Sequence, residues 1–301
     1  MVYYGTEVMC TTIAEFLRDW LLLRSPELKP RTIDSYRDQI ERIIVPMIGS
    51  ISAEELTADD VRHLLASIIA DGHERTAEMV YTLLNCALAE LDHNPMNKIR
   101  RPRHRQKHPL PWSDEQITCY VAALQTHPHG LALSLAICCG LRRGEICGLR
   151  WKDVDWAAQE LDICNQLVTL ANGQTVDCDP KSASSFRRVP IPSELLPRFK
   201  REKGHPEAYV CGLTPSGLSQ AHAKLVRRLG LPQISLHGLR HSFATSSMRN
   251  NGDARALQDV LGHSSYAVTM NIYTHPDHAM KSKAIDSACA VWYTVLHRVS
   301  T

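Results

Sequence analysis

The sequence predicts a mainly α-helical protein with one small antiparallel β-sheet set into its second half. Three observations predict it. Apolar residues recur at helical spacing along most of the chain. Strand patterning and turn chemistry replace that spacing between about 160 and 191. Charge divides the chain into an acidic leader and a basic remainder. The 301 residues suffice for about two domains, and a hydrophobic fraction of 44% allows a sizeable core.

Thr12 and Glu15 have the spacing of a capping box, and Ile13, Phe16, Leu17, Trp20 and Leu21 follow at helical spacing. A second helix starts near Pro30 with Ile33, Tyr36, Ile40 and Ile43 on one face, and Pro46 and Gly49 are expected to end it. A third begins at Thr57 and carries Val61, Leu64, Leu65 and Ile68. A fourth carries Val80, Leu83, Leu84, Ala87, Leu88 and Leu91, and Asn94-Pro95 stops it. Residues 11–94 therefore read as a compact four-helix domain. Ser113 and Gln116 open another capped helix at about 113–126, followed by helices at about 130–139 and 141–149. Strands are expected at 161–163, 166–169, 175–177 and 187–191, with a turn at Asn172-Gly173. Helices resume at about 193–203, 215–229, 237–250, 253–261 and 265–273. A last amphipathic helix over 279–298 puts Ile285, Ala288, Cys289, Trp292, Val295 and Leu296 on one face. It packs on its own domain or docks on a second subunit, and spacing does not choose between them.

Residues 1–97 hold 8 Lys/Arg against 16 Asp/Glu, whereas 98–301 hold 26 against 16. The basic excess peaks at Lys98, Arg100, Arg101, Arg103, Arg105 and Lys107, with no acid between them. Set between two domains, this segment is expected to track a polyanion rather than serve only as a solvated linker. The acidic leader is the difficulty, because a surface that grips a polyanion should present basic residues. Arg31, Arg37, Arg42, Arg62 and Arg75 would have to share a face from which the acids point away. Lys224, Arg227 and Arg228 lie together near the end of a helix and are further candidates for backbone or groove contacts. The expected boundaries are a helical domain at 1–97, a basic linker at 98–108 and a second domain at 109–301. No apolar run reaches the ~18 residues of a membrane span, and Met1–Cys10 lacks the features of a signal peptide. Ten cysteines occur without a Cys-x-x-Cys pair, as expected of free thiols in a reducing cytoplasm rather than disulfides or zinc ligands.

The chemistry-bearing residues fall in a fixed order: Gly140-Leu141-Arg142 with Glu145, Lys181 in a turn, His237 with Arg240 three residues on, Leu261-Gly262-His263, and Tyr273 within Asn271-Ile272-Tyr273-Thr274-His275. A phenol is a weak nucleophile alone; it needs groups that neutralise phosphate charge and groups that handle protons. Guanidinium groups match the non-bridging oxygens of a phosphodiester with paired donors and stay charged. Arg142 and Arg240 suit that role, although spacing alone does not separate Arg142 from Arg143. His237 and Arg240 share a helix face. His241 shares it too and invites a zinc reading, which lacks a third ligand at suitable spacing. Glu145 is expected to be buried and to orient Arg142 or His237.

In this order, with the basic strap and helical leader, the motifs resemble the tyrosine recombinase (phage integrase) family over about 108–285, and the leader resembles that family's core-binding domain. The resemblance implies that Arg142 rather than Arg143 carries the site, that Lys181 protonates the leaving 5′-oxygen, that His263 hydrogen-bonds the scissile phosphate, and that Tyr273 rather than Tyr266 is the nucleophile. It implies a DNA-integrating recombinase of a mobile element, working without metal or other cofactor on double-stranded DNA. The partners it implies are a homotetramer joined in trans by the 279–298 helix and, where needed, accessory DNA-bending proteins. The expected location is the cytoplasm, at the nucleoid. Two alternatives remain on the residues alone: a type IB topoisomerase-like relaxing enzyme with the same chemistry, and a non-catalytic DNA-binding relative.

Overall fold

The structure, a computed structural model, describes residues 11–91, 93–104, 110–178, 186–250 and 253–262. The helices expected at 265–273 and 279–298 lie outside the described residues. The chain forms two compact units, one of residues 1–108 with 170–174 and one of 109–169 with 175–301.

In the first unit, α1 (Ile13–Arg24) opens on the expected capping box, with the Thr12 amide donating to the Glu15 carboxylate at 3.0 Å. Helix α2 (Pro30–Gln39) runs through a π turn (Ile40–Ile44) into α3 (Val45–Ile48). Pro46 therefore does not end the helix as expected. The wider turn shifts the hydrogen-bond register immediately before a residue that donates none, and the helix stops at Gly49. Helices α4 (Ala58–Ala70), capped by Thr57 and Asp60, and α5 (Glu74–Ala87) complete the group. Their apolar faces meet in one core in which Ile13, Leu17, Ile44, Val61, Leu64, Leu83, Leu84 and Leu88 are fully buried.

The start of the basic strap is tied to these helices. Ile99 is buried, its carbonyl accepts the Tyr81 hydroxyl at 3.2 Å, and the Lys98 carbonyl accepts Arg62 Nη2 at 3.1 Å. The leader's acids do not all point away from its bases. Arg37, Arg42, Arg62 and Arg75 each pair with an acid three or four residues away: Asp34, Asp38, Asp59 and Glu78.

In the second unit, α6 (Asp114–Leu124) carries the Ser113–Gln116 capping box. Helix α7 (Gly130–Cys138) is apolar on all sides and accordingly buried nearly all round. Short α8 (Arg143–Gly148) lies against the strand at Gln166–Thr169, where a Cβ on Gly148 would come within 2.9 Å of Gln166 and Leu167 backbone atoms. The strands do not form one sheet. β1 (Val154–Asp155), β2 (Glu160–Ile163) and β5 (Arg187–Pro190) make an antiparallel sheet in the order β1-β2-β5, and β3 (Gln166–Thr169) pairs only with β4 (Thr175–Cys178). Both edges of β2 are occupied, by β1 and by β5, so β3 takes its partner from the next strand instead. Helices α9 (Leu196–Glu202), α10 (Pro215–Arg228), α11 (Leu236–Arg249) and α12 (Ala254–Leu261) follow.

A buried chain of hydrogen bonds sets α6 against α10 and the segment entering α11. His222 Nε2 faces the Ile234 carbonyl at 2.8 Å and must donate to it, which leaves Nδ1 to accept the Tyr120 hydroxyl at 2.8 Å. Ser242 Oγ on α11 accepts the Trp112 amide at 3.0 Å. No described helix is long and apolar enough to cross a membrane.

Candidate active site

Arg142 is the residue from which α8 springs. Its backbone is extended, at φ −73° and ψ 151°, and the helix brings Glu145 back over it. The Glu145 carboxylate accepts the Arg142 amide at 2.8 Å and Arg142 Nη1 at 2.7 Å. Glu145 thus orients Arg142, one of the two roles expected of it, and it is buried, with 3% of its side chain exposed. Arg143, one residue along, turns outward and donates to Ser219 Oγ at 3.1 Å. The structure separates two arginines that spacing could not.

A third arginine completes the arrangement. Arg187 on β5 forks onto Glu145, with Nη1 to Oε1 at 3.0 Å and Nη2 to Oε2 at 2.9 Å. Bidentate pairing of this kind is the strong form of the contact. No motif or spacing in the sequence singles out Arg187 as a site residue. The available signal was strand alternation: Arg187 stands two residues from buried Val189, on the inward face of β5, while Arg188 stands outward and pairs with Asp162.

The three arginines converge on the end of α12. Arg187 Nε donates to the Val260 carbonyl at 2.6 Å, Arg240 Nη2 to that of Leu261, and Arg142 Nη2 to that of Gly262 at 2.7 Å. Carbonyls at a helix C-terminus lack partners within the helix and lie at the negative end of its dipole. Here three consecutive ones take one guanidinium each. Gly262 makes this possible by adopting φ +63°, which turns the chain out of the helix with its carbonyl toward Arg142. Arg240, on α11, is 3% exposed and also donates to the Gly140 carbonyl at 2.7 Å.

Burial alone would push the Glu145 carboxyl up. The hydrogen bonds and charge of Arg187, joined by Arg142, outweigh it and hold the carboxyl at about 2. Burial, reinforced by the charge of Arg142, pushes the Arg240 guanidinium down to about 9, against the opposing pull of Glu145. It still carries its charge at neutral pH. Three cations and one anion leave the cluster with a net charge of about two positive, suited to a phosphodiester that gathers charge during attack.

His237 lies in the first turn of α11, one turn before Arg240, and is exposed. Its ring meets that of His241 edge-on, with centroids 4.7 Å apart. Amides and dipole at such a helix start favour an anion. Lys181, His263 and Tyr273 lie outside the described residues, as do Arg105 and Lys107. Of the expected DNA contacts, Lys98, Arg100, Arg101 and Arg103 are exposed on the strap, where Arg101 pairs with Glu78. Lys224, Arg227 and Arg228 are exposed on α10. Arg150 pairs with Asp177 and Glu207, away from the cluster.

The fold of this chain is shared by solved integrases. The structure superposes on the Tn1549 transposon integrase in complex with transposon right end DNA, with a TM-score of 0.77 at 20% identity, covering 92% of this chain and 99% of that one. For a lambda integrase dimer bound to a COC′ core site the TM-score is 0.66 at 19% identity, covering 87% and 77%. Residues 114–280 match the phage integrase family, and residues 12–68 match the phage integrase N-terminal SAM-like domain. The chain belongs to the phage integrase family, the tyrosine recombinases, enzymes that cleave and rejoin DNA. A tyrosine recombinase XerC-like protein from Caldanaerobacter subterraneus subsp. tengcongensis is 31% identical over 58% of this chain, and the match spans about half, 53%, of that relative's length. Tyrosine recombinase XerC from Alcanivorax borkumensis is 27% identical over 87% of this chain and 88% of its own.

Proposed function

We propose that this protein is a site-specific DNA recombinase that integrates and excises a mobile element, with Tyr273 as nucleophile. The observation that carries the reading is the convergence of Arg142 and Arg240 on the C-terminal turn of α12, directly before His263. In the reaction, the Tyr273 oxygen bonds to the scissile phosphorus as the bond to the 5′-oxygen breaks. Lys181 supplies the proton that the leaving 5′-oxygen takes up. Arg142 and Arg240 hold the non-bridging oxygens, and His237 and His263 complete the phosphate's hydrogen bonds and handle protons. The 3′-phosphotyrosyl link conserves the bond energy, and a partner strand's 5′-hydroxyl reverses the step. The chemistry calls for neither metal nor other cofactor.

Residues 1–97 serve as a DNA clamp, 98–108 as a basic strap and 109–301 as the catalytic domain, with 279–298 docking on a neighbour in a homotetramer on two DNA sites. Lys98, Arg100, Arg101, Arg103, Arg105, Lys107, Lys224, Arg227 and Arg228 supply the DNA contacts. A protein acting on DNA in this way works at the nucleoid. The Tn1549 likeness is to a protein captured on transposon-end DNA. The mobile-element assignment itself rests on the form Met270-Asn271-Ile272-Tyr273-Thr274-His275.

The test is strand exchange on a plasmid carrying both borders of the DNA that flanks the coding gene. The parent should release a circle with a single joined border, and Tyr273→Phe should release none. Relaxed plasmid without joined borders would support the topoisomerase reading instead.

A further inference from the structure

We propose that Arg187 is a positioning residue for strand cleavage: its buried guanidinium clamps Glu145 to the last turn of α12, and so fixes both Arg142 and the point from which the chain enters residues 263–273. The inference rests on the active-site reading above and goes further into it.

One planar group joins three distant parts of the chain. Two of its nitrogens take the two Glu145 oxygens on α8, at 3.0 and 2.9 Å, and the third takes the Val260 carbonyl on α12, at 2.6 Å. With 6% of its side chain exposed, against 33% for Arg142, it is placed to hold the protein rather than the substrate. The charge balance explains why a third arginine is present. Glu145 paired with Arg142 alone would cancel the charge that must meet the phosphate. Arg187 satisfies the carboxylate from the other side and leaves the cluster with two uncompensated positive charges, matching the two negative charges a phosphodiester gathers at its transition state. A lysine could not replace it, because a single ammonium cannot span both carboxylate oxygens and a carbonyl on another helix. The bond to Val260 adds a second consequence. It fixes the last turn of α12, where Arg142 and Arg240 also find their acceptors.

The test measures single-turnover formation of the covalent protein–DNA adduct on nicked duplexes built from the DNA that flanks the coding gene. Duplex affinity, thermal unfolding and the pH profile of the rate are measured on the same proteins. Arg187→Gln should slow adduct formation ~100-fold, the scale of a small misplacement of catalytic groups, while duplex affinity changes by less than about threefold. Its rate should also begin to fall at a higher pH on the acid side, because Glu145 then protonates more readily. Arg187→Lys should fall between Gln and the parent. Arg188→Gln, outward on the same strand, should match the parent. If Arg187→Gln does not fold, Arg187→Lys decides. Rates within about threefold of the parent with an unmoved pH profile would overturn the proposal, as would a loss of rate that only tracks the folded fraction. If the parent itself forms no adduct, the active-site reading fails and this inference falls with it. If the parent forms adduct and Arg187→Gln equals it, only the positioning role fails.

Discussion

Replacing Glu145 with glutamine removes one charge while keeping the shape of the side chain. Four hydrogen bonds meet the carboxylate: the Arg142 amide, Arg142 Nη1 and both Arg187 Nη atoms. Two routes give the size of the effect. Holding the carboxyl at about 2 rather than the ordinary 4.5 corresponds to about 3 kcal/mol of stability at neutral pH, at ~1.4 kcal/mol per tenfold. Breaking a buried ion pair by removing one partner costs ~3–5 kcal/mol. The folded-state value is depressed, so the stabilisation is complete above the unfolded-state value near 4.5 and is lost as pH falls toward about 2. Urea unfolding followed by tryptophan emission reports on this unit, where Trp112 and Trp151 are buried. Glu145→Gln should be less stable than the parent by about 3 kcal/mol at pH 7 and by roughly half of that at pH 3. A variant as stable as the parent at pH 7, or a difference that does not change with pH, would rule out this role for Glu145.

Other outcomes follow from the same geometry. Arg240→Lys, whose single ammonium cannot serve both Gly140 and Leu261, should slow covalent adduct formation about 100- to 1,000-fold, as losing a preorganised charge donor does. Replacing Arg100, Arg101 and Arg103 together with alanine should make DNA affinity less salt-sensitive, lowering the log–log slope by ~0.9 for each phosphate no longer neutralised; an unchanged slope would remove the strap from the interface. Burial lowers the pKa of His222, against the opposing pull of its bond to Ile234. The parent should therefore lose stability as pH drops below ~6.5, and His222→Gln should flatten that dependence in urea titrations.

Much of the fold was legible because it is set locally. The capping pairs at Thr12 and Ser113 act over three residues, and the apolar faces of α1, α4 and α5 follow a 3.6-residue period that needs no knowledge of the partner. The π turn at Ile40–Ile44 was not legible, since helical periodicity on both sides conceals one added residue per turn. The division of the strands into two sheets was equally hidden, because it depends on which distant strands pair with the two edges of β2.

The site shows the same division. Glu145 could be placed near Arg142 because Arg142 caps α8 and Glu145 lies in its first turn. Arg187 could not, because 42 residues separate it from Glu145 and 73 from Val260, and neither distance leaves a periodic trace. Nor does side-chain chemistry reveal that three carbonyls at the end of α12 would serve as acceptors, since every residue carries one.

The nucleophile itself can be read out directly. The covalent complex is trapped on a nicked duplex bearing the element's border and digested, and the peptide that retains a 3′-nucleotide is identified by mass spectrometry. The nucleotide should sit on Tyr273, and no other peptide should carry one. A nucleotide on Tyr266, or an adduct that persists in Tyr273→Phe, would contradict the assignment of Tyr273.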